Sequence, residues 1–173
     1  MVHGLDQRRV PVVEAIQRYL AEGAIRFHTP YHRGGRGLGG DLRTLVGEGP
    51  GRVDLTEVAG LDDLHAPAGA IREAEALAAD AFGADESIFL VNGASAGVMA
   101  MVMACCRPGD LVVIARNCHR SAVAGAVLAG ARAAFARAEV DEGLVLPVGV
   151  EPSSVEAVLE ANPEARAVLV TSP

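Results

Sequence analysis

From Pro67 onward, apolar runs of strand length alternate with small-residue or amphipathic runs of helical length, joined by short connections. This alternation constrains the chain more than any single motif. Strands linked through helices run parallel, and a parallel sheet needs helices on both of its faces. The spacing predicts a helix carrying Ile71, Ala74, Ala78 and Ala81 that stops at Gly83, a buried strand over 87–91, and a helix over about 95–106 after a turn at Asn92 and Gly93. Beyond the turn at Pro108, Gly109 and Asp110 it predicts strands over 111–115, 133–136 and 167–171, with helices over about 121–129 and 153–160 between them. The expected fold class is α/β, a three-layer, mostly parallel, doubly wound sheet. Because Thr171, Ser172 and Pro173 fall at the C-terminal edge of the last strand, the sheet is expected to be incomplete at its C-terminus.

Upstream, Val12, Ile16, Tyr19 and Leu20 form the apolar stripe of a helix over about 11–21, with Pro11 in its first turn and Gly23 as its stop. Residues 34–51 are rich enough in glycine to read as a linker, but Leu38, Leu42, Leu45 and Val46 point to a short packed helix within them. The chain thus divides into an N-terminal arm over 1–66 and the first part of a larger domain over 67–173.

Composition narrows the class of partner. Half of the 173 residues are apolar and about a fifth charged, as for a globular body with a core. Twenty-two acidic against 15 basic residues leave a net charge of −7 with the arginines scattered, so nucleic acid is not indicated. The most apolar run, Ala94 to Cys106, is shorter than a membrane span, and no apolar signal core follows Met1, so a cytoplasmic protein without a membrane partner is expected. Cys105, Cys106 and Cys118 have neither the number nor the spacing of a disulfide framework or zinc site.

Three constellations carry chemistry. The run Asn92, Gly93, Ala94, Ser95, Ala96 and Gly97 opens a helix directly after an apolar run. Its small residues let backbone amides approach an anion such as phosphate, with Ser95 as a hydroxyl donor; the plainer alternative is a strand-to-helix turn with Ser95 as N-cap. The run Arg116, Asn117, Cys118, His119, Arg120 and Ser121 follows the next strand. There the His119 ring can lie against an aromatic cofactor with Ser121 in reach, or simply cap a helix. Loops after neighbouring parallel strands face one crevice, which favours a joint site. The third set is His28, Tyr31, His32 and Arg33, with Asp54, Glu57, Asp62, Asp63 and His65 further on. Metal ligation there is a weak reading, and the carboxylates are better explained as caps, ion pairs or contacts to a partner subunit.

Taken together, these blocks resemble the major domain of the ornithine/lysine/arginine decarboxylases, pyridoxal phosphate enzymes of the aspartate aminotransferase fold. HTPYHRGG resembles the family's PGHKGG, DLTEVAGLDDLHAPAGAI its DLTE and LDDLH block, FGADESIFLVNGASAGVMAM its FGAD and FLVNG(T/S) block, and PGDLVVIARNCHRS its PGD and RNCHKS block. The resemblance implies the large domain of a pyridoxal 5'-phosphate transferase in its short form, without an N-terminal wing domain. By it Gly93, Ala94, Ser95 and Ala96 form a phosphate cup, His119 stacks on the pyridine ring and Ser121 donates nearby; no metal is implied. It also implies decarboxylation of arginine, lysine or ornithine to the corresponding amine, in a homodimer or higher oligomer with active sites at the interface. Departures are Ala94 where the family usually has Thr or Ser, Tyr31 for a glycine, and Arg33 and Arg120 for lysines.

One feature of the sequence opposes catalysis by these residues alone. All 15 basic side chains, histidines aside, are arginine. A Schiff-base enzyme needs a lysine amine, and a guanidinium stays protonated and non-nucleophilic. The chain is therefore expected to be inactive alone, as the N-terminal part of such an enzyme. The alternatives are a non-catalytic remnant that binds a phosphorylated ligand or a partner, and a related aminotransferase or aldolase.

Overall fold

The structure, a computed structural model, describes residues 4–171; Ser172 and Pro173, on which the sequence ends, lie outside the described residues. It forms two compact units with the boundary between Phe89 and Leu90. The sequence division at 66/67 instead follows the onset of strand and helix alternation.

The first unit holds α1 (Pro11–Glu22), α2 (Gly40–Val46), α3 (Gly49–Val53) and α4 (Ala70–Phe82). α1 starts on a proline, whose missing N–H costs nothing at that position, and ends at a left-handed Gly23. Its buried face of Pro11, Ala15 and Tyr19 packs on α4, where Glu75 and Ala79 are buried. Those two positions, one turn apart, centre the buried stripe and leave Ala81 round the side of the helix, exposed rather than on the packed face. Glu75 is matched rather than orphaned, since it accepts the Phe89 N–H at 3.0 Å and lies 3.6 Å from the Arg72 guanidinium.

Two irregular segments of this unit are ordered by backbone contacts. Gly35 and Gly51 touch so closely that a β-carbon on Gly51 would lie 2.7 Å from Gly35 Cα. The glycine-rich stretch is thus a packed turn, and α2 lies within it with Leu42, Leu45 and Val46 exposed rather than packed. The positive φ angles fall on Arg33, Gly34 and Gly35, so Tyr31 occupies its position without that strain. Ahead of α4, the Asp62 carboxylate accepts N–H groups from Asp63, Ala68, Gly69, Ile71 and Arg72, capping a helix whose own N-cap glycine has no side chain to do so.

The second unit runs α5 (Gly93–Cys105), β1 (Leu111–Ala115), α6 (Arg120–Ala129), β2 (Arg132–Ala136), β3 (Ala138–Asp141), β4 (Leu146–Val150), α7 (Pro152–Ala161) and β5 (Ala167–Leu169). It is mixed α/β, with a parallel sheet in the order β2-β1-β5 that aligns Val113 with Ala134 and Val168. Every residue of β1 is buried. Val112 and Ile114 enter a cluster with Val102, Ala122, Ala126 and Ala129 of α5 and α6, whereas Leu111 and Val113 pack with Val155, Val158 and Leu159 of α7. Alternation along one strand thus feeds a helical layer on each face.

One expected strand is corrected. Residues 87–91 form no strand, and Ile88 and Val91 are exposed. An apolar run becomes a strand only where a ladder partner satisfies its backbone, and none is present among the described residues. α5 is apolar all round, yet Val102 is its one buried position and Met101 and Met103 are exposed, because its packing comes from α6 on one side. The hairpin β3–β4 was not expected from the sequence; it is antiparallel, with a bulge between Glu139 and Val140, and Asp141 Oδ1 accepts the Gly143 and Leu144 N–H groups across its turn.

Two substitutions test this account. Gly125 of α6 is where α5 approaches most closely: a β-carbon there would lie 3.0 Å from Val102 Cβ and 3.1 Å from Met99 Cα. Gly125→Val should destabilise the chain by about 1–3 kcal/mol in urea unfolding, and an unchanged midpoint would contradict the close approach. At Asp62, burial pushes the carboxyl pKa up, but the amides of Ala68, Gly69, Asp63 and Arg72 outweigh it and hold the group below the usual carboxylate range. Asp62→Ala should cost about 1–2 kcal/mol at pH 7. Since the folded pKa is depressed, this stabilisation is complete above the unfolded value of about 3.9 and is lost as the pH falls toward the folded one, so the gap between wild type and variant should narrow in acid.

Candidate functional site

α5 begins without a side-chain cap. Its N-cap Asn92 makes no capping bond, Gly93 takes a left-handed φ of 71°, and the amides of Gly93, Ala94 and Ser95 have no partner among the described residues. These three residues are exposed and Ala96 is half-buried. Ser95 lies inside the first turn and does not serve as N-cap, so the plainer sequence reading of that residue does not hold. A β-carbon on Gly97 would meet Leu90 Cδ1 at 2.6 Å, the end of an exposed side chain that is free to turn away.

The second run leaves β1 and enters α6. His119 is the N-cap of α6, its Nδ1 accepting the Ser121 N–H at 3.2 Å and meeting the Ser121 hydroxyl at 2.8 Å. A nitrogen that accepts an amide proton is unprotonated, which puts the ring proton of neutral His119 on Nε2. Ser121 is buried while His119 is exposed, so the hydroxyl steadies a ring that faces outward to solvent at this helix start. The capping role weighed from the sequence is therefore present.

The fold brings the two runs to one edge. α6 starts just past the C-terminal end of β1, and the turn after α5 meets the far end of α6, where the Gly109 N–H donates to Gly130 O at 2.9 Å. With Gly125 against Met99 and Val102, the two helices run side by side in the same direction, and both N-termini lie at the C-terminal edge of β1. Two helix starts there make a region of positive potential suited to an anion.

Asn117, which belongs to the second run but has no role assigned from the sequence, has a side-chain oxygen buried without a hydrogen-bond partner among the described residues. Its only signal was its place between strand end and cap. In the first unit His32 is tied on both nitrogens, Nε2 standing 3.1 Å from Asp54 Oδ2 and Nδ1 accepting the Gly35 N–H at 3.1 Å. His28 meets the Tyr19 hydroxyl at 3.1 Å. Among the described residues no three His, Cys, Asp or Glu side chains converge as a metal site.

Residues 10–173 match the family model described as Orn/Lys/Arg decarboxylase, major domain. The chain belongs to the Orn/Lys/Arg decarboxylase family. It is 38% identical over 169 residues to an arginine decarboxylase of Bacillus subtilis and 37% identical over 172 residues to one of Bacillus anthracis. These alignments cover 98% and 99% of this chain but 34% and 35% of the relatives, so the chain spans about a third of their length. Among solved structures it is similar to the constitutive lysine decarboxylase of Escherichia coli, with a TM-score of 0.74 and 25% identity over 93% of this chain and 25% of that one. It is likewise similar to lysine decarboxylase A of Pseudomonas aeruginosa, with a TM-score of 0.72 and 30% identity over 92% of this chain and 24% of that one.

This is a family of pyridoxal phosphate-dependent basic amino acid decarboxylases. The residues present fit the cofactor: uncapped amides and the Ser95 hydroxyl suit its phosphate, and the exposed His119 suits its ring. The orphaned Asn117 oxygen is a polar atom in the same loop still lacking a donor. The geometry at His119 is testable without any ligand. Ser121→Ala keeps the backbone amide that fixes the tautomer, so long-range nitrogen NMR should still show the Nε2-protonated form while urea unfolding shows a stability loss of about 1 kcal/mol. A shift to the Nδ1-protonated form would show that the Ser121 N–H does not hold Nδ1, and an unchanged midpoint that the hydroxyl contributes nothing.

Proposed function

We propose that this chain forms the phosphate- and ring-holding part of a decarboxylase that converts a basic amino acid to its amine. The observation that carries the reading is the open first turn of α5, Gly93 to Ser95, lying at the same sheet edge as the His119 cap of α6. Bound pyridoxal phosphate supplies the electron sink that loss of the carboxylate requires. Gly93, Ala94, Ser95 and Ala96 hold the phosphate through backbone N–H groups and the Ser95 hydroxyl. His119 lies against the ring, and Ser121 keeps the imidazole in one orientation. Ala94 contributes its amide alone. The frame is the doubly wound large domain of the pyridoxal phosphate transferases.

Arginine is the first substrate to assay in a complete enzyme, since both Bacillus relatives are arginine decarboxylases. The absence of lysine means that these residues do not supply the Schiff-base amine. That same observation favours the second reading, a module that binds the cofactor without turnover. An oligomer is part of the proposal: Met101 and Met103 of α5 and Val127 and Leu128 of α6 are exposed apolar side chains of the kind a partner subunit covers.

Equilibrium dialysis of the chain against pyridoxal phosphate and against pyridoxal tests the reading. The phosphorylated form should bind more tightly, and Ser95→Ala or His119→Ala should each weaken it about tenfold. Equal affinity for both compounds, or variants that bind like the wild type, would remove the phosphate cup from the account.

A further inference from the structure

The first unit contains a cavity of about 710 Å³ whose wall carries Arg26, Arg33, Arg36, Arg43 and Arg52 together with one carboxylate, Glu48. Residues 1–89 include nine arginines and fourteen acidic residues. More than half of the arginines of an acidic unit thus converge on one cavity, while thirteen of its fourteen carboxylates lie elsewhere. Like charges gathered in this way repel one another unless a counter-charge enters.

The arginines fall into two groups. Arg26 donates to the carbonyls of Gly51 and Arg52 at 3.4 and 2.8 Å, and Arg43 donates to those of Gly35 and Arg36 at 3.2 and 3.0 Å. These bonds hold two guanidinium groups in place and leave part of their donor forks unused. Gly34 makes room for the first of them, since a β-carbon there would lie 2.9 Å from Arg26 Nη1. The side chains of Arg36 and Arg52 have no hydrogen bond or ion pair among the described residues, and Arg33 lies over the Tyr31 ring at 4.5 Å. Two fixed donors beside two uncommitted ones make a cavity ready to chelate oxyanions, and its volume is that of a small-molecule site.

We propose that this cavity binds a small polyanion carrying at least two phosphate groups, held by Arg36 and Arg52 and oriented by Arg26 and Arg43. It is built from residues 20–52 and shares none with the proposed phosphate cup at α5. Guanidinium forks match phosphate oxygens bidentately, and four of them exceed what a single carboxylate ligand uses.

Isothermal titration of the whole chain with inorganic pyrophosphate is the test, with citrate as the carboxylate comparison. Saturable one-to-one binding is expected, tighter for pyrophosphate than for citrate. Arg36→Gln and Arg52→Gln should each weaken it about tenfold, whereas Glu48→Gln should strengthen it. Both arginines are exposed and bear no structural bond through their side chains, so these variants should keep the wild-type circular dichroism and urea midpoint. Binding unchanged in the Arg36→Gln, Arg52→Gln double variant but lost in Ser95→Ala would place the anion at α5 and overturn the proposal. Absence of saturable binding, or citrate binding as tightly as pyrophosphate, would overturn it too.

Discussion

The contact between Gly125 of α6 and the Met99 to Val102 turn of α5 is what the second unit depends on. The small-residue face of α6, with Ala122, Ala126 and Ala129 buried, lets the helices lie close together and over the same face of β1. Because both run opposite to β1, close packing along their length delivers both N-termini to one edge of the sheet. The unpartnered amides at the start of α5 and the His119 cap of α6 are therefore placed by core packing and not by loop structure. A larger side chain in that seam would move one helix start relative to the other and lower stability.

The first unit is organised by a different principle. Its loops are irregular, and polar side chains order them by taking up backbone groups: Asp62 gathers five amides ahead of α4, Glu75 takes that of Phe89, and Arg26 and Arg43 tie carbonyls of the glycine-rich turn. Each bond satisfies a donor or acceptor that an unstructured segment would leave to water. The close approach of Gly35 and Gly51 completes this. Arginine serves twice here, as a brace for the turn and as a wall of positive charge.

The legibility of the sequence followed from how local each signal was. The strand Leu111–Ala115 was read to the residue, because a continuous apolar run between a Pro-Gly-Asp turn and a polar loop has one reading. The helices ending at Gly23 and Gly83 were found from their glycine stops, and both glycines are left-handed caps. Residues 87–91 looked like a strand because their composition records burial, but a ladder depends on a neighbour that no local pattern specifies. The β3–β4 hairpin was missed because its strands, Ala138–Asp141 and Leu146–Val150, carry charged, proline and glycine residues that blur alternation. At the site, Ser95 and His119 stood out as residue types at helix starts. Asn117 and the pairing of His32 with Asp54 did not, since burial of one oxygen and a partner 22 residues away are properties of the folded chain.

If two helix starts at one sheet edge hold the two ends of a single cofactor, an amide NMR titration of the chain with pyridoxal phosphate should shift the Gly93, Ala94, Ser95 and Ala96 amides and those of His119 and Ser121 together along one binding curve. Shifts confined to residues 26–52, or two helix starts responding at different concentrations, would rule that arrangement out.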